Sequence, residues 1–135
     1  MHLQRLRKTE KKRVKQLLLD VYGYELPSGY SYFVNSRNKI FMVAAGMDDL
    51  LQFKLDRVGL YIGEMNETEF RLSFCALKWF WACQGPSKNQ YELTQTLAEM
   101  YMRGQKIPCR NEGRHFYTLV FNNEPIAIAK AVDGT

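Results

Sequence analysis

The chain has few residues of the types that form covalent cross-links or bind metals. Its 135 residues include only three cysteines and two histidines. The cysteines, Cys75, Cys83 and Cys109, are odd in number, and no two form a C-x-x-C pair. This spacing indicates neither a disulfide framework nor a zinc site, and it suits a reducing compartment.

Long apolar runs and nucleotide-binding motifs are missing as well. No stretch approaches the roughly 20 apolar residues that a membrane-spanning helix needs, and the N-terminus has no apolar signal core. There is no P-loop, no G-x-G-x-x-G, no internal repeat and no low-complexity tract. We therefore expect no cofactor, no metal and no membrane partner, in a protein of the cytoplasm, or of the nucleolus if the cell is eukaryotic.

The composition is that of a folded, basic protein. Hydrophobic residues make up 46% of the chain and aromatic residues 13%, enough to bury the core of one domain or two small ones. A formal net charge of +5 and a pI near 9.2 favour an acidic partner such as RNA. Moderately basic proteins without such a partner are also common, so charge alone leaves the function open.

Hydrophobic periodicity and turn residues predict the elements of the first half. Apolar residues at helical spacing predict a helix from Leu3 to Tyr22, ended by Gly23 and basic on its outer face. A hairpin is predicted around the turn Asn35–Asn38. The predicted strands are Tyr30–Val34, Ile40–Ala44, Val58–Met65 and Phe70–Phe74, with a turn at 66–69, and the further helices are Met47–Phe53 and Ala76–Cys83.

A Gly-Pro-Ser triplet at 85–87 separates two differently patterned halves, because proline disfavours continuation of a helix. We place a domain boundary there, between residues 1–85 and 86–135. Beyond it, two interpretations stay open: a strand at Tyr91–Thr94 before a helix at Thr96–Arg103, or one helix over Asn89–Arg103. Further strands follow, among them Phe116–Phe121 and Ile126–Ala131 around a turn at 122–125.

Several short segments, in this order and spacing, resemble the Nip-seven family of ribosome-biogenesis factors, which have a pre-PUA domain followed by a PUA domain. The segments lie between residues 29 and 131, and none is a catalytic signature. In the first half they are Gly29–Val34, Asn38–Val43, Gly59–Glu64 and Phe70–Leu77. In the second half they are Tyr101–Gly104, Gly113 and Glu124–Ala129.

The resemblance implies an α+β protein, with an N-terminal α/β pre-PUA domain and a small mixed, PUA-like β-barrel. It favours a strand at Tyr91–Leu93 and restricts the following helix to Gln95–Arg103. After Ala131 the family continues through residues that complete the barrel, whereas this chain ends at Thr135. The resemblance therefore implies that the barrel is abbreviated, that the chain is shortened, or that a partner completes the barrel.

The implied function is non-enzymatic binding of RNA, most simply ribosomal RNA, together with ribosome-assembly proteins. Cations, small residues and a loop on a sheet suit phosphate contacts and close backbone approach. The expected RNA-binding residues are Arg103, Gly104, Lys106, Arg110, Arg114, His115 and Lys130. Simpler explanations stay open for these residues. The cations of the loop can be solvated without a ligand, Gly104 can serve only to end the helix, and Lys130 can be a solvated strand end.

Other functions compete with this one. The chain could be a protein-interaction adaptor, or a targeting domain that delivers RNA to a separate modifying enzyme. The cations between Arg5 and Lys15 could extend an RNA surface, bind an acidic protein or simply be solvated. Trp79, Phe80 and Trp81 are expected to pack at the domain junction, and Arg71 is expected to point away from its apolar neighbours.

Catalysis and metal binding have weaker support. Cys109 and His115 are six residues apart, with no third group to orient them. Glu64, Glu67 and Glu69 lack the spacing of a calcium loop and are expected to form an acidic turn.

Overall fold

The computed structural model describes residues 3–44, 59–108 and 114–132. The chain divides into two compact units, Met1–Pro86 and Ser87–Thr135. The division falls within the Gly-Pro-Ser triplet at 85–87. The first unit combines helices with a sheet and the second unit one described helix with a sheet, so the predicted α+β class is correct.

The strands described in the first unit form a five-stranded antiparallel sheet in the order β1-β2-β3-β4-β5. The strands are β1 Gln4–Arg5, β2 Tyr30–Val34, β3 Lys39–Ala44, β4 Leu60–Met65 and β5 Phe70–Leu72. The helices are α1 Lys8–Leu17, which continues as a π-helical turn over Leu18–Tyr22, and α2 Phe74–Gln84. The predicted helix Met47–Phe53 and Val58 lie outside the described residues.

The predicted helix over Leu3–Tyr22 is wrong at its start. Arg7 is extended, and the Glu10 carboxylate accepts bonds from its main-chain N–H at 3.1 Å and its Nε at 2.9 Å. These bonds fix the first turn of α1, so the preceding residues are free to pair with β2 as a strand. Gly23, with φ of 78°, ends the helical segment as predicted.

The predicted hairpin is confirmed. Asn35 Oδ1 accepts from the main-chain N–H groups of Arg37 and Lys39, at 2.9 and 3.0 Å, and Asn38 has φ of 61°. An asparagine side chain that bonds the main chain two residues on is a common way to close such a turn. The turn sets the register in which Val34 pairs with Ile40.

The main core of the first unit lies between one face of the sheet and the helices. Tyr22, Phe80, Ile40 and Ile62 are fully buried there. Tyr24 stacks on Phe80 with ring centroids 5.1 Å apart. Phe80 therefore packs within the first unit, and the expected packing of Trp79, Phe80 and Trp81 at the domain junction stays a prediction.

Two expectations about the segment around β5 have different outcomes. Arg71 is exposed between buried Phe70 and Leu72, as alternation predicted. The predicted strand is too long, because Ser73 caps α2: its Oγ accepts from Ala76 N–H at 3.1 Å and donates to the Tyr61 carbonyl at 2.6 Å. Phe74 therefore begins a helix.

The second unit has a three-stranded sheet in the order β6-β7-β8 and one described helix. Its elements are β6 Gln90–Glu92, α3 Gln95–Met102, β7 Arg114–Phe121 and β8 Glu124–Val132. Thr94 is extended, and its Oγ1 caps α3 by accepting from Leu97 N–H at 3.2 Å. The strand-then-helix interpretation is therefore correct, and the single helix over 89–103 is wrong.

The sheet of the second unit is mixed but open within the described residues. β6 pairs parallel with β7, and β7 pairs antiparallel with β8. Three strands, one of them only three residues long, are too few to curve round and close, so the expected barrel is not formed by these strands. The expectation of mixed parallel and antiparallel pairing is correct, whereas the closure into a barrel is not seen in the described strands.

Two sets of contacts hold the second unit together. Buried Leu93, Ala98 and Leu119 form its apolar cluster between α3 and the sheet. The buried Ser87 hydroxyl donates to Thr118 Oγ1 at 2.9 Å, and Thr118 donates to Asn89 Oδ1 at 3.1 Å. This chain of hydroxyl and amide groups fastens the segment before β6 to β7.

Candidate nucleic-acid interface

The residues that follow α3 form a tight turn, which we call the exit loop, residues 103–108. Gly104 has φ of 77°, its N–H donates to the Tyr101 carbonyl at 2.9 Å, and the Gln105 N–H donates to the Met100 carbonyl at 3.0 Å. These bonds satisfy the last carbonyls of the helix. Gly104 is therefore a helix stop, as one of the two sequence interpretations held.

The exit loop presents two cations to solvent. Arg103 and Lys106 are both exposed, and neither side chain has a hydrogen bond or ion pair with another described residue. A Cβ built on Gly104 meets nothing within 4 Å, so the main chain between the cations is open to approach. The geometry thus provides two unneutralised donors on either side of an accessible backbone, which suits a phosphate.

A small apolar groove lies in the same unit, with a volume of about 40 Å³. Its lining comprises Tyr91, Ile107, Tyr117, Leu119, Ala129, Ala131 and Lys130. Ile107 joins the exit loop directly to this groove, since it follows Lys106 in the chain. A groove of this size is far below the several hundred Å³ of a pocket that encloses a small-molecule substrate.

Two tyrosines form one side of the groove. Tyr91 and Tyr117 meet edge to face, with ring centroids 6.3 Å apart and planes at 82°. The hydroxyl of Tyr91 donates to the carbonyl of Pro108, which ties the end of the exit loop to β6. Tyr91 therefore has a structural task, and both rings are half-buried at the groove.

The Lys130 side chain lies over the Phe116 ring. It pairs with Phe116 across β7 and β8, and its ammonium lies 5.4 Å from the centroid of the Phe116 ring. Because side chains alternate along a strand, this places its ammonium on the face opposite to Ala129, which packs on the α3 side. Lys130 is a strand-face cation over an aromatic ring.

Three of the expected site residues have no described side chain. Arg110 and its neighbour Cys109 lie outside the described residues. Arg114 and His115 are described only by their backbone, which begins β7 opposite Val132 and Ala131. Of the expected residues after α3 and before β7, the structure therefore describes Arg103, Gly104 and Lys106.

Five of the seven N-terminal cations fall into two groups. Arg5 lies over the Phe33 ring and Lys11 over the Tyr32 ring, each 5.2 Å from the centroid. Three lysines of α1, at positions i, i+4 and i+7, share one exposed face and have no ion pair with other described residues. They are Lys8, Lys12 and Lys15.

One ion pair belongs to the same segment. The Arg7 guanidinium hydrogen-bonds Glu10 at 2.9 Å and so lowers the pKa of that carboxyl group. Its role is to start α1, and Arg7 is exposed. The pair therefore removes one cation from the basic surface.

The described residues contain no group of three or more His, Cys, Asp and Glu side chains that could hold a metal ion. Glu64 and Glu67 are exposed beside the turn at 66–69, where Asn66 Oδ1 accepts from the N–H of Glu69 at 2.7 Å. Residues 66–69 thus form the turn that the sequence predicted, with acidic side chains beside it.

In comparisons with known proteins, no family model matches the chain and no curated protein does so. In the described parts of the chain, no helix is long and apolar enough to cross a membrane.

Sequence reasoning missed the groove and its tyrosines. Tyr91 lies opposite Leu119 through parallel pairing, and Ile107 arrives from a loop. In the sequence, the feature that pointed to the groove was Tyr117, an aromatic residue two positions before Leu119. Residues two apart lie on the same face of a strand, here the predicted strand Phe116–Phe121.

Proposed function

We propose that this chain is a non-enzymatic RNA-binding protein whose second unit is PUA-like and whose target is ribosomal RNA during ribosome assembly. The observation that carries the RNA proposal is the exit loop, where exposed Arg103 and Lys106 flank Gly104 without an acidic partner among the described residues. The ribosomal target is supported by the family resemblance alone.

Electrostatics supply most of the proposed binding. Residues 87–135 hold nearly equal numbers of acids and bases, so most of the excess positive charge lies in residues 1–86. The lysine face of α1 (Lys8, Lys12, Lys15) adds a long-range attraction for a polyanion, while the exit loop supplies short-range contacts. The logarithm of affinity then falls linearly with the logarithm of salt concentration.

Crosslinking in native cells, followed by sequencing of the bound RNA, tests this proposal. Enrichment of ribosomal RNA supports the full statement. Enrichment of other RNAs retains RNA binding but overturns the ribosomal assignment, and recovery of no RNA overturns both.

A second candidate function, a protein-interaction adaptor, is favoured by strand β8. This strand is nine residues long and lies at the edge of its sheet, paired only with β7 among the described strands. A long edge strand offers main-chain groups to a partner strand. Capture of an assembly protein without RNA at moderate salt would favour the adaptor over RNA binding.

A further inference from the structure

The groove of the second unit adjoins the exit loop, and the two features differ in chemistry. The groove is lined mainly by apolar surface, from the two tyrosine rings, Ile107, Leu119 and two alanines, with Lys130 as its one charged residue. The exit loop adds exposed cations at Arg103 and Lys106. Since Lys106 and Ile107 are consecutive, their Cα atoms are about 3.8 Å apart, and an apolar wall and a cation come from adjacent residues.

A ligand that fits both features is flat and apolar on one side and anionic on the other. A nucleotide of single-stranded RNA has this form, because its base has an apolar π-face and its phosphate is negative. A duplex fits poorly, since its bases are stacked on one another and their faces are hidden.

We propose that the groove receives one unpaired base of the RNA, stacked against Tyr117, while Lys106 and Arg103 bind the adjoining phosphates. A volume of about 40 Å³ is too small to enclose the base, so the base lies across the open side of the groove. The alanines at 129 and 131 leave the room for it because their side chains are short. This inference rests on the proposed RNA binding and makes it specific for unpaired RNA.

Tyr117 and Tyr91 have separate tasks in this arrangement. Tyr91 is engaged through its hydroxyl with the Pro108 carbonyl and so positions the exit loop. Tyr117 meets Tyr91 edge to face and lies on the groove. Tyr117→Ala removes the stacking surface, whereas Tyr117→Phe keeps the ring and serves as the matched control.

The test measures affinity for a single-stranded RNA of about 12 nucleotides with mixed sequence, and for the same strand annealed to its complement. Removing an aromatic stacking partner of a base weakens binding by roughly 5- to 150-fold. We expect Tyr117→Ala to lose this factor on the single strand with no change in the salt dependence, since no charge is removed. Tyr117→Phe should bind as the unaltered protein does, and duplex binding should be unaffected by either change.

A second measurement does not depend on the variant folding. The unaltered protein is titrated into the single strand carrying one 2-aminopurine, a base whose fluorescence falls when it stacks on an aromatic ring. Quenching by the unaltered protein that an excess of a strand of abasic residues reverses only weakly supports the proposal. Binding of the strand without quenching at any position of the 2-aminopurine overturns it.

The outcomes separate this inference from the proposed function. If Tyr117→Ala folds and binds the single strand as tightly as the unaltered protein, or if duplex and single strand bind equally, the groove assignment is overturned while RNA binding stands. If the unaltered protein binds neither RNA, the proposed function fails and the groove assignment fails with it. An acidic peptide that displaces the single strand and is itself sensitive to Tyr117→Ala would replace RNA as the occupant.

Discussion

The main-chain N–H of Leu72 donates a hydrogen bond, 3.1 Å long, to the hydroxyl oxygen of Tyr22. The same hydroxyl donates to the carbonyl of Phe70 at 3.2 Å. The buried Tyr22 side chain, at the end of the first helical segment, thus satisfies one main-chain N–H and one main-chain carbonyl of β5. This strand is the last in the described sheet order. The hydroxyl occupies the place that a neighbouring strand would otherwise fill.

Removing this hydroxyl should destabilise the protein. Tyr22→Phe leaves a buried N–H and a buried carbonyl without their partner, which costs about 1–3 kcal/mol of unfolding free energy. Urea denaturation measures the change. The control is Tyr30→Phe, because the Tyr30 hydroxyl has no hydrogen bond with described residues and only its ring contacts Trp79. Equal stability of the two variants would show that the bridge contributes nothing.

Ionisation of Tyr22 should also lower the stability of the protein at high pH. Burial raises the pKa of Tyr22 to about 12, whereas an unfolded tyrosine has a pKa of about 10. The stability that the protonated Tyr22 hydroxyl contributes to the folded state is fully present below pH about 10. As the pH rises towards 12, up to about 3 kcal/mol of it is lost. Unfolding free energies across this range should fall less steeply in Tyr22→Phe. Some fall remains, because burial also raises the pKa of Tyr32.

Gly63 is a second position where the fold admits little change. A Cβ there would lie 2.7 Å from Phe70 Cζ and closer still to the Arg71 carbonyl oxygen, which belongs to the paired strand. We expect Gly63→Ala to destabilise the first unit by about 2–4 kcal/mol through overpacking. Gly29→Ala is the comparison, since a Cβ at Gly29 meets nothing within 4 Å and only its φ of 84° is unfavourable. Thermal melts in which Gly29→Ala loses as much stability would argue against a steric origin.

Gly104→Ala separates a helix stop from a contact surface. The left-handed φ of 77° should destabilise the alanine variant by about 1–2 kcal/mol, with no steric clash. Asparagine tolerates this conformation better, so Gly104→Asn should lose less stability. If the glycine only ends α3, the folded fraction of both variants keeps its RNA affinity. Reduced affinity in both folded variants would assign the main chain at this position to the RNA contact.

The sequence predicted best those elements whose boundaries are local. Gly23 and Gly104 act through their own backbone, Asn35 acts through its side chain on the main chain two and four residues on, and the turns they form lie where predicted. The pattern failed at Leu3 and Leu6, because a few apolar residues with mixed spacing fit a helix or a strand equally well.

Failures of a second kind came from long-range pairing. The cap formed by Ser73 depends on Tyr61, twelve residues away, and it ended the predicted strand early. The groove depends on the parallel register of β6 with β7 and on where the exit loop lies. The exposure of Lys106 followed from loop composition, but the lack of acidic partners for Arg103 and Lys106 among the described residues did not.

The double variant Arg103→Ala/Lys106→Ala tests the central claim most directly. Fluorescence anisotropy of a labelled single-stranded RNA would be measured between about 50 and 200 mM salt, with Lys39→Ala/Lys78→Ala as the control of equal charge. The control lysines lie over the rings of Tyr61 and Phe74 and belong to the first unit, whereas the exit loop belongs to the second.

Our account predicts that the exit-loop variant binds about 10- to 100-fold more weakly, and that its slope of log affinity against log salt is smaller by about 1.4, as expected for two lost phosphate contacts. The control should retain most of the affinity. Identical affinities and slopes for the two folded double variants would contradict the assignment of RNA binding to the exit loop.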